Sequence, residues 1–417
     1  MDSCATPTEA VRWRFGVLTT TVCILIGAVL GYAALGTSPR HFADEGFHAP
    51  QISELSAGHF EVLRTTTMLP TYHLVLAWAE RLHGHHDLWL LRFVNLLGSL
   101  FLPLFIWRLS SRNSMGDPGR RVVQWFFMPL LFPFFFLIYT DAWALVAVLA
   151  TIYCALKGRS VLAAFAGLAA ALIRQDMIIW VGLAWMLVLL HDFKLAEWRR
   201  DPWGCTRSRM QSAGPLSLVL VLFALFFVWN HGVAVGDRMQ QDVGFNVTNV
   251  FYFLLCAWAI FLPLNLEAVP RVLRLMRGPV CLALLAVGFV VYMLTFANDH
   301  PYNNYHYLGF YLHNDGLHLL TKYRWVRAAA FVPMAWMVLT VFVTRLAEPR
   351  LYLLYFVAPL SVGLHPVIEQ RYYLAALTLF QVWRPSVGDA WENSLLAIYA
   401  VASVVIVAGI ASERFFL

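Results

Sequence analysis

Charge is scarce in this chain. Only 13% of its 417 residues are Asp, Glu, Lys or Arg, while 60% are hydrophobic. Soluble globular proteins carry about 25% charged residues, so a water-soluble fold is excluded and a polytopic membrane protein remains. Cysteine is sparse too. Four of the six (Cys23, Cys154, Cys256 and Cys281) sit inside apolar runs, and Cys4 and Cys205 lie in segments assigned to the cytosol. No disulfide framework or metal-ligand spacing is visible among them. A glycine-rich nucleotide cradle is missing, and with it a soluble nucleotide-sugar domain. No internal repeat stands out, which argues against an inverted-repeat transporter. The net charge of +6 does not signal nucleic-acid binding, because the basic residues cluster in short loops between apolar runs, as membrane topology requires.

The long apolar runs define the architecture. A helix needs about 20 apolar residues to cross a bilayer. Such runs lie near 15–35, 88–109, 122–139, 141–157, 160–191 (long enough for two), 213–231, 250–265, 278–297, 326–344, 351–365, 372–384 and 391–412. The expectation is an all-α bundle of about a dozen transmembrane helices forming one integral membrane domain over 1–417. Its first span is 15–35, longer than the h-region of a signal peptide, and a large extracytosolic loop follows over 36–87. Met68 to Leu82, broken by Glu80 and Arg81, reads as a helix lying at the interface. Basic residues set the orientation. Arg108, Arg112, Arg120 and Arg121, then Lys157 and Arg159, then Lys194 to Arg209, then Arg271 to Arg277, then Arg345 and Arg350 all fall on one side if the N-terminus is cytosolic.

The other polar motifs then fall on the opposite face, at the ends of spans. They are Asp44-Glu45, Tyr139-Thr140-Asp141, Arg174-Gln175-Asp176, Gly236-Asp237-Arg238, the segment 298–324 and Glu369-Gln370-Arg371-Tyr372-Tyr373. This convergence points to one extracytosolic site built from several loops. Paired carboxylates at a membrane exit are costly against lipid and are functional by default. Asp44 and Glu45 are therefore the candidate catalytic acids, with Asp44 preferred because its shorter side chain is held more rigidly; a helix-capping pair is the plain alternative. His48, one helical turn on, is a candidate for binding phosphate or orienting the base.

These residue types suit transfer of a sugar from a lipid phosphate to a hydroxyl. The hydroxyl must lose a proton, which a carboxylate can take. Negative charge developing on the leaving phosphate calls for guanidinium groups, and Arg174, Arg238 and Arg371 are the candidates. His306 is a further ligand candidate. Tyr302, Tyr305, Tyr307 and Tyr311, with Tyr372, offer faces for sugar rings. Each has a structural alternative: snorkelling for Arg174, an ion pair with Glu369 for Arg371, a turn bridge to Asp237 for Arg238. Arg92 could simply anchor its helix at the interface. The cluster His83, His85, His86 and Asp87 fits no helical metal-ligand pair and reads as a polar turn. Asn246-Val247-Thr248 is a glycosylation acceptor pattern close to a membrane end. No cofactor is expected; the sugar carrier is a substrate. A related enzyme using another sugar or acceptor, and a lipid-glycan flippase, stay open as alternatives.

The motifs also carry a family resemblance. Asp44 to Gln51, Leu69-Pro70 with Tyr72, Leu91 to Leu97, Tyr139-Thr140-Asp141, Arg174-Gln175-Asp176 with Ile178-Ile179-Trp180, Gly236-Asp237-Arg238, Asn304 to Tyr307 and Arg371-Tyr372 stand in order along the chain. In this the chain resembles the dolichyl-phosphate-glucose-dependent alpha-1,2-glucosyltransferases that finish the lipid-linked N-glycan precursor, within the C-type glycosyltransferase superfamily. The resemblance implies an inverting transfer of glucose from beta-linked dolichyl-phosphate glucose to a lipid-linked oligosaccharide. It implies an endoplasmic-reticulum membrane with a lumenal site (an inner membrane with a periplasmic site, were the source bacterial), and Asp44 as base. The pattern departs at one place: Asp-Asn-Arg-His-Tyr in the family reads Asn303-Asn304-Tyr305-His306-Tyr307 here.

Overall fold

The computed structural model describes residues 7–113, 116–236, 244–303 and 314–416, and their regular structure is all helical, with no strand among them. Five helical stretches are long and apolar enough to cross a membrane: Gly16–Gly36, Leu88–Arg112, Pro202–Asn230, Arg324–Val343 and Asp389–Ala411. The pair Val269–Leu275 and Pro279–Thr295 makes a sixth if its 95° bend lies within one span. The first helix shows how such an element is set. Leu18, Leu25 and Val29 on its outer face are exposed. Its inner face packs so tightly that a Cβ on Gly31 would lie 2.2 Å from the Phe136 ring.

Other apolar runs take shorter forms. The run 122–139 is not a straight crossing: the helix Pro118–Phe126 gives way to a 3-10 turn at Phe132–Phe135. Phe126 and Phe132 to Phe136, except for the buried Pro133 among them, belong to the main hydrophobic core, so these rings pack inward and do not meet lipid. Proline at 133 and a run of bulky rings favour this irregular, fully packed segment over continued helix. The run 372–384 is a ten-residue helix, Leu374–Trp383. The run 160–191 divides at Arg174, whose backbone is extended, into Ser160–Ile173 and a second helix ending at Leu189.

Ion pairs mark the two ends of the bundle. At one end Arg120 pairs with Asp389 at 2.6 Å, Arg112 with Glu348 at 3.5 Å, and Arg350 donates to the Leu187 carbonyl at 3.2 Å. Below them the Arg384 guanidinium grips the Glu392 carboxylate at 2.7 and 2.9 Å, and Gln124 donates to the same carboxylate. Arg112, Arg120 and Arg350, from two of the loops singled out by charge, thus gather at one end. At the other end Arg40 pairs with Glu413 at 2.5 Å. The first and last spans therefore run in the same direction, and the C-terminal end of Asp389–Ala411 lies at the end occupied by Asp44.

Helical hairpins deliver the polar motifs to that end. Asp141–Leu156 and Ser160–Ile173 hold 16 and 14 residues. Nearly equal lengths bring the chain back level with its start. Gly158, at φ +69°, supplies the left-handed residue of the turn. Asp141 at the start and Arg174 at the finish consequently meet as a buried ion pair.

Candidate active site

Asp44 and Glu45 point into different surroundings. Ala43 has φ 46°, a left-handed conformation that costs a residue with a Cβ about 1–2 kcal/mol. The turn it makes feeds directly into the helix Glu45–Ser56, with Asp44 as N-cap. The Asp44 backbone N–H donates to the Tyr139 hydroxyl at 2.8 Å. Its carboxylate faces a pocket and meets Arg371 Nη1 at 2.7 Å, with the side chain 26% exposed. Glu45 is fully buried and does not line that pocket. It receives Arg92 Nε at 2.9 Å and Nη2 at 2.5 Å, the Ile138 N–H at 2.7 Å and the Phe42 N–H at 2.9 Å. The expectation that Glu45 shares the reacting position is corrected: four donors occupy its oxygens. Arg92 does not anchor its helix at the interface; it is fully buried against Glu45.

The pocket is walled by Asp44, His48, Thr65 to Met68, Arg174, Tyr302, Glu369, Arg371 and Tyr372, with Phe47 and Val367. Arg371 bridges two carboxylates, Asp44 at 2.7 Å and Glu369 at 2.5 Å. Its guanidinium also lies over the Tyr139 and Tyr372 rings, 5.5 and 5.7 Å from their centroids. Arg174 pairs with Asp141 and with Asp176 at 3.0 Å, and its guanidinium also lies over the Tyr372 ring, 5.3 Å from the centroid. It is buried in a network and does not snorkel. His365 stacks on Tyr372 at 4.0 Å, and its Nε2 lies 3.3 Å from Asp176. Tyr372 thus meets two guanidiniums and an imidazole through its ring.

Burial and these charges set the protonation states. Burial pushes the Glu369 carboxyl up to about 7, although Arg371 pulls it down, and Asp44 and Asp141 add to the rise. His365 is brought down to about 4 by burial, against the pull of Asp176, with Arg174 and Arg371 adding to the fall. His48 falls to about 3 through burial, then Arg371, then Arg174.

Three asparagines fix the loop that carries Glu369 and Arg371. Asn249 donates to the carbonyls of Val362, His365 and Val367 at 3.0–3.1 Å and accepts from the Tyr373 hydroxyl at 2.5 Å. Asn246 donates to the Pro366 carbonyl at 2.8 Å while accepting from the Asn249 N–H, and Thr248 accepts from the Ala297 N–H. The glycosylation pattern 246–248 is therefore consumed in a helix cap. Asn303 donates to the Ile368 carbonyl at 3.0 Å and accepts its N–H at 2.9 Å. An ionised aspartate at this position could only accept, which gives this departure from the family pattern a physical reason. On the far wall Gln175 donates to the Thr67 and Val233 carbonyls at 3.4 and 3.2 Å. A Cβ on Gly236 would strike the Thr66 carbonyl oxygen at 1.9 Å, so this position requires glycine.

Asp44, His48, Arg174, Arg371 and Tyr372 are thus brought together. Arg238, His306 and Tyr307, with Tyr305 and Tyr311, lie outside the described residues. Sequence reasoning placed Asp141 and Asp176 within motifs without giving them roles, offered Glu369 only as an ion-pair partner of Arg371, which it is, and passed over Thr65 to Thr67, His73 and His365. The signal for His365 was present: a histidine followed by proline at the end of an apolar run. His86 pairs with Glu80 and His83 with Asp87, at 2.7 and 3.4 Å. Among the described residues no three His, Cys, Asp or Glu side chains gather so as to hold a metal ion.

This geometry can be set beside known proteins. The family model of the DIE2/ALG10 family matches residues 38–382. The chain belongs to that family. The matched DIE2/ALG10 region takes in every pocket residue, from Asp44 to Tyr372. Two Homo sapiens members, each named Dol-P-Glc:Glc(2)Man(9)GlcNAc(2)-PP-Dol alpha-1,2-glucosyltransferase, are 25% and 24% identical to the chain. Those matches cover 86% and 92% of the chain and 87% and 92% of the relatives. A member with the same name from Debaryomyces hansenii is 27% identical, over 60% of either chain. No solved structure matches this DIE2/ALG10 chain.

Proposed function

We propose that this chain moves glucose from dolichyl-phosphate glucose to a lipid-linked oligosaccharide, making an alpha-1,2 bond with inversion at the anomeric carbon. The observation that carries the reading is Asp44 beside Arg371 in one pocket, a proton acceptor adjoining a phosphate-binding cation. The acceptor hydroxyl attacks the anomeric carbon. Its proton passes to the Asp44 carboxylate as the carbon–oxygen bond to the phosphate breaks. Arg371 and Arg174 take up the charge that develops on the departing lipid phosphate, and Tyr372 and Tyr302 offer faces to the sugar. Glu45 has a structural part only. The names of the relatives support the donor and acceptor assigned here.

An apolar cavity of about 480 Å³ supports a lipid-borne donor. Ala358, Pro359, Ala376 and Leu377 line it, within two turns of the loop carrying Glu369 and Arg371. In this reading the polyprenyl tail lies there with its phosphate toward Arg371. The site faces the lumen of the endoplasmic reticulum, opposite the basic loops. The four shorter apolar helices count as spans in this reading, bringing the total to nine, or ten with the bent pair. A 16-residue helix reaches only about 24 Å, yet a helix enclosed by protein does not have to match a hydrocarbon core of about 30 Å.

The test is a panel of sugar donors with reconstituted protein and a defined lipid-linked acceptor. Transfer from dolichyl-phosphate glucose, and none from a nucleotide sugar, is expected. Transfer from free nucleotide sugar, or from dolichyl-phosphate mannose alone, would overturn the assignment.

Glu369 should impose a pH dependence on donor binding. When protonated, it releases Arg371 to the phosphate; when ionised, it competes for Arg371. Donor KM should therefore rise as pH passes upward through about 7, by up to about tenfold per pH unit. Glu369→Gln should flatten that limb. Because this carboxyl is raised on folding, its stabilising contribution is present below the ordinary carboxylate range and is lost as pH rises through about 7.

A further inference from the structure

One buried titratable side chain beside the pocket has no part in the mechanism above. His73, on the helix Thr71–His83, is fully buried behind His48. His48 Nδ1 and His73 Nε2 are 2.9 Å apart. The edges of Tyr72 and Tyr139 close around His48, and Arg371 and Arg174 act on it from the pocket side. Burial, reinforced by these cations, holds His48 neutral; burial, then His48, does the same for His73. Two neutral rings share a single hydrogen between the facing nitrogens. Which ring donates it decides what His48 shows to the substrate.

The surroundings of His73 decide the matter. If His48 donated, the proton of His73 would sit on Nδ1, which is buried and has no acceptor among the described residues. Buried N–H groups without acceptors are rarer than unmatched acceptors. The reverse arrangement leaves only a bare ring nitrogen there. His48 lines the pocket, and with Nδ1 engaged its Nε2 is the nitrogen left to face it. We propose that His73 is a positioning residue: it donates Nε2–H to His48 Nδ1 and so fixes His48 with its proton on Nε2, a hydrogen-bond donor to the phosphate of the lipid-linked sugar and not a second base. This rests on the pocket being the donor-phosphate site. It explains how a neutral histidine serves an anion beside two arginines without adding a third buried cation, and it leaves proton uptake to Asp44.

The experiment is ¹⁵N-histidine NMR of the full chain in lipid, with the His48 signals identified by their loss in His48→Asn. A protonated Nε2 and a bare Nδ1 are expected; a proton on Nδ1 overturns the proposal. This readout needs no turnover, so it stands apart from failure of the glucosyltransferase reading, which would appear as wild-type protein that does not use the donor. Kinetics supply the second arm. His73→Gln keeps an N–H donor of similar reach and should keep the donor KM near the wild-type value. His73→Phe keeps the ring volume but removes the donor, and should raise donor KM about tenfold or more with acceptor KM unchanged. Equal loss in both variants, or an unaltered donor KM in a folded His73→Phe protein, would also overturn it.

Discussion

Asp44→Asn should lower kcat by about 10²–10⁴-fold, the contribution of a positioned general base, with the protein still folded in the membrane. The substitution keeps the shape of the side chain, and the amide oxygen can still accept from Arg371. The backbone N–H bond to Tyr139 does not involve the side chain at all. Little in the fold therefore depends on the carboxylate, which is one-quarter exposed. Donor KM should hold or fall, because Arg371 loses an anionic competitor for the phosphate. That split separates two roles. If Asp44 only steered Arg371, its loss would appear in KM and not in kcat. Asp44→Glu tests placement: a base one methylene too long should recover part of the rate and no more. Near-normal turnover by purified Asp44→Asn enzyme would remove Asp44 from the mechanism.

Much of this site was legible in the sequence because membrane topology sorts polar residues before any folding is considered. The motifs around Asp44, Tyr139, Arg174 and Arg371 sat at span ends of one parity, and the fold brings them within ion-pair and ring-stacking distance. The segment Met68 to Leu82, expected to be helical, forms the helix Thr71–His83, with Trp78 and Leu82 exposed and Tyr72, His73 and Leu76 buried. The run 122–139 misled because composition does not separate a crossing helix from a buried irregular segment; Pro133 and the packed phenylalanines make it the latter. Pairwise partnerships were beyond reach. No spacing rule links His48 to His73 or Asn303 to Ile368, since those contacts exist only after separate helices and loops have packed. The same limit hid the difference between Asp44 and Glu45, which adjoin in sequence and face opposite surroundings.

Glu45→Ala and Arg92→Ala should each destabilise the fold by about 3–5 kcal/mol, the range for removing one partner of a buried ion pair. The loss reaches beyond the pair. Arg92 also donates to the carbonyls of Leu35, Ser38 and Arg40, and Glu45 also accepts the N–H groups of Phe42 and Ile138. These five backbone groups tie the exit of the first span to the turn that positions Asp44. An apolar double replacement, which restores stability at some buried pairs, should fail here because it strands all five. Arg92→Lys should recover little, since an ammonium cannot reproduce the planar fork that meets a carboxylate and three carbonyls together. Thermal unfolding in detergent measures the effect, and turnover per folded molecule separates it from catalysis. Glu45→Gln should lose stability while its folded fraction turns over within a few-fold of wild type. A Glu45→Gln enzyme with wild-type stability and no turnover would shift the chemistry from Asp44 to Glu45.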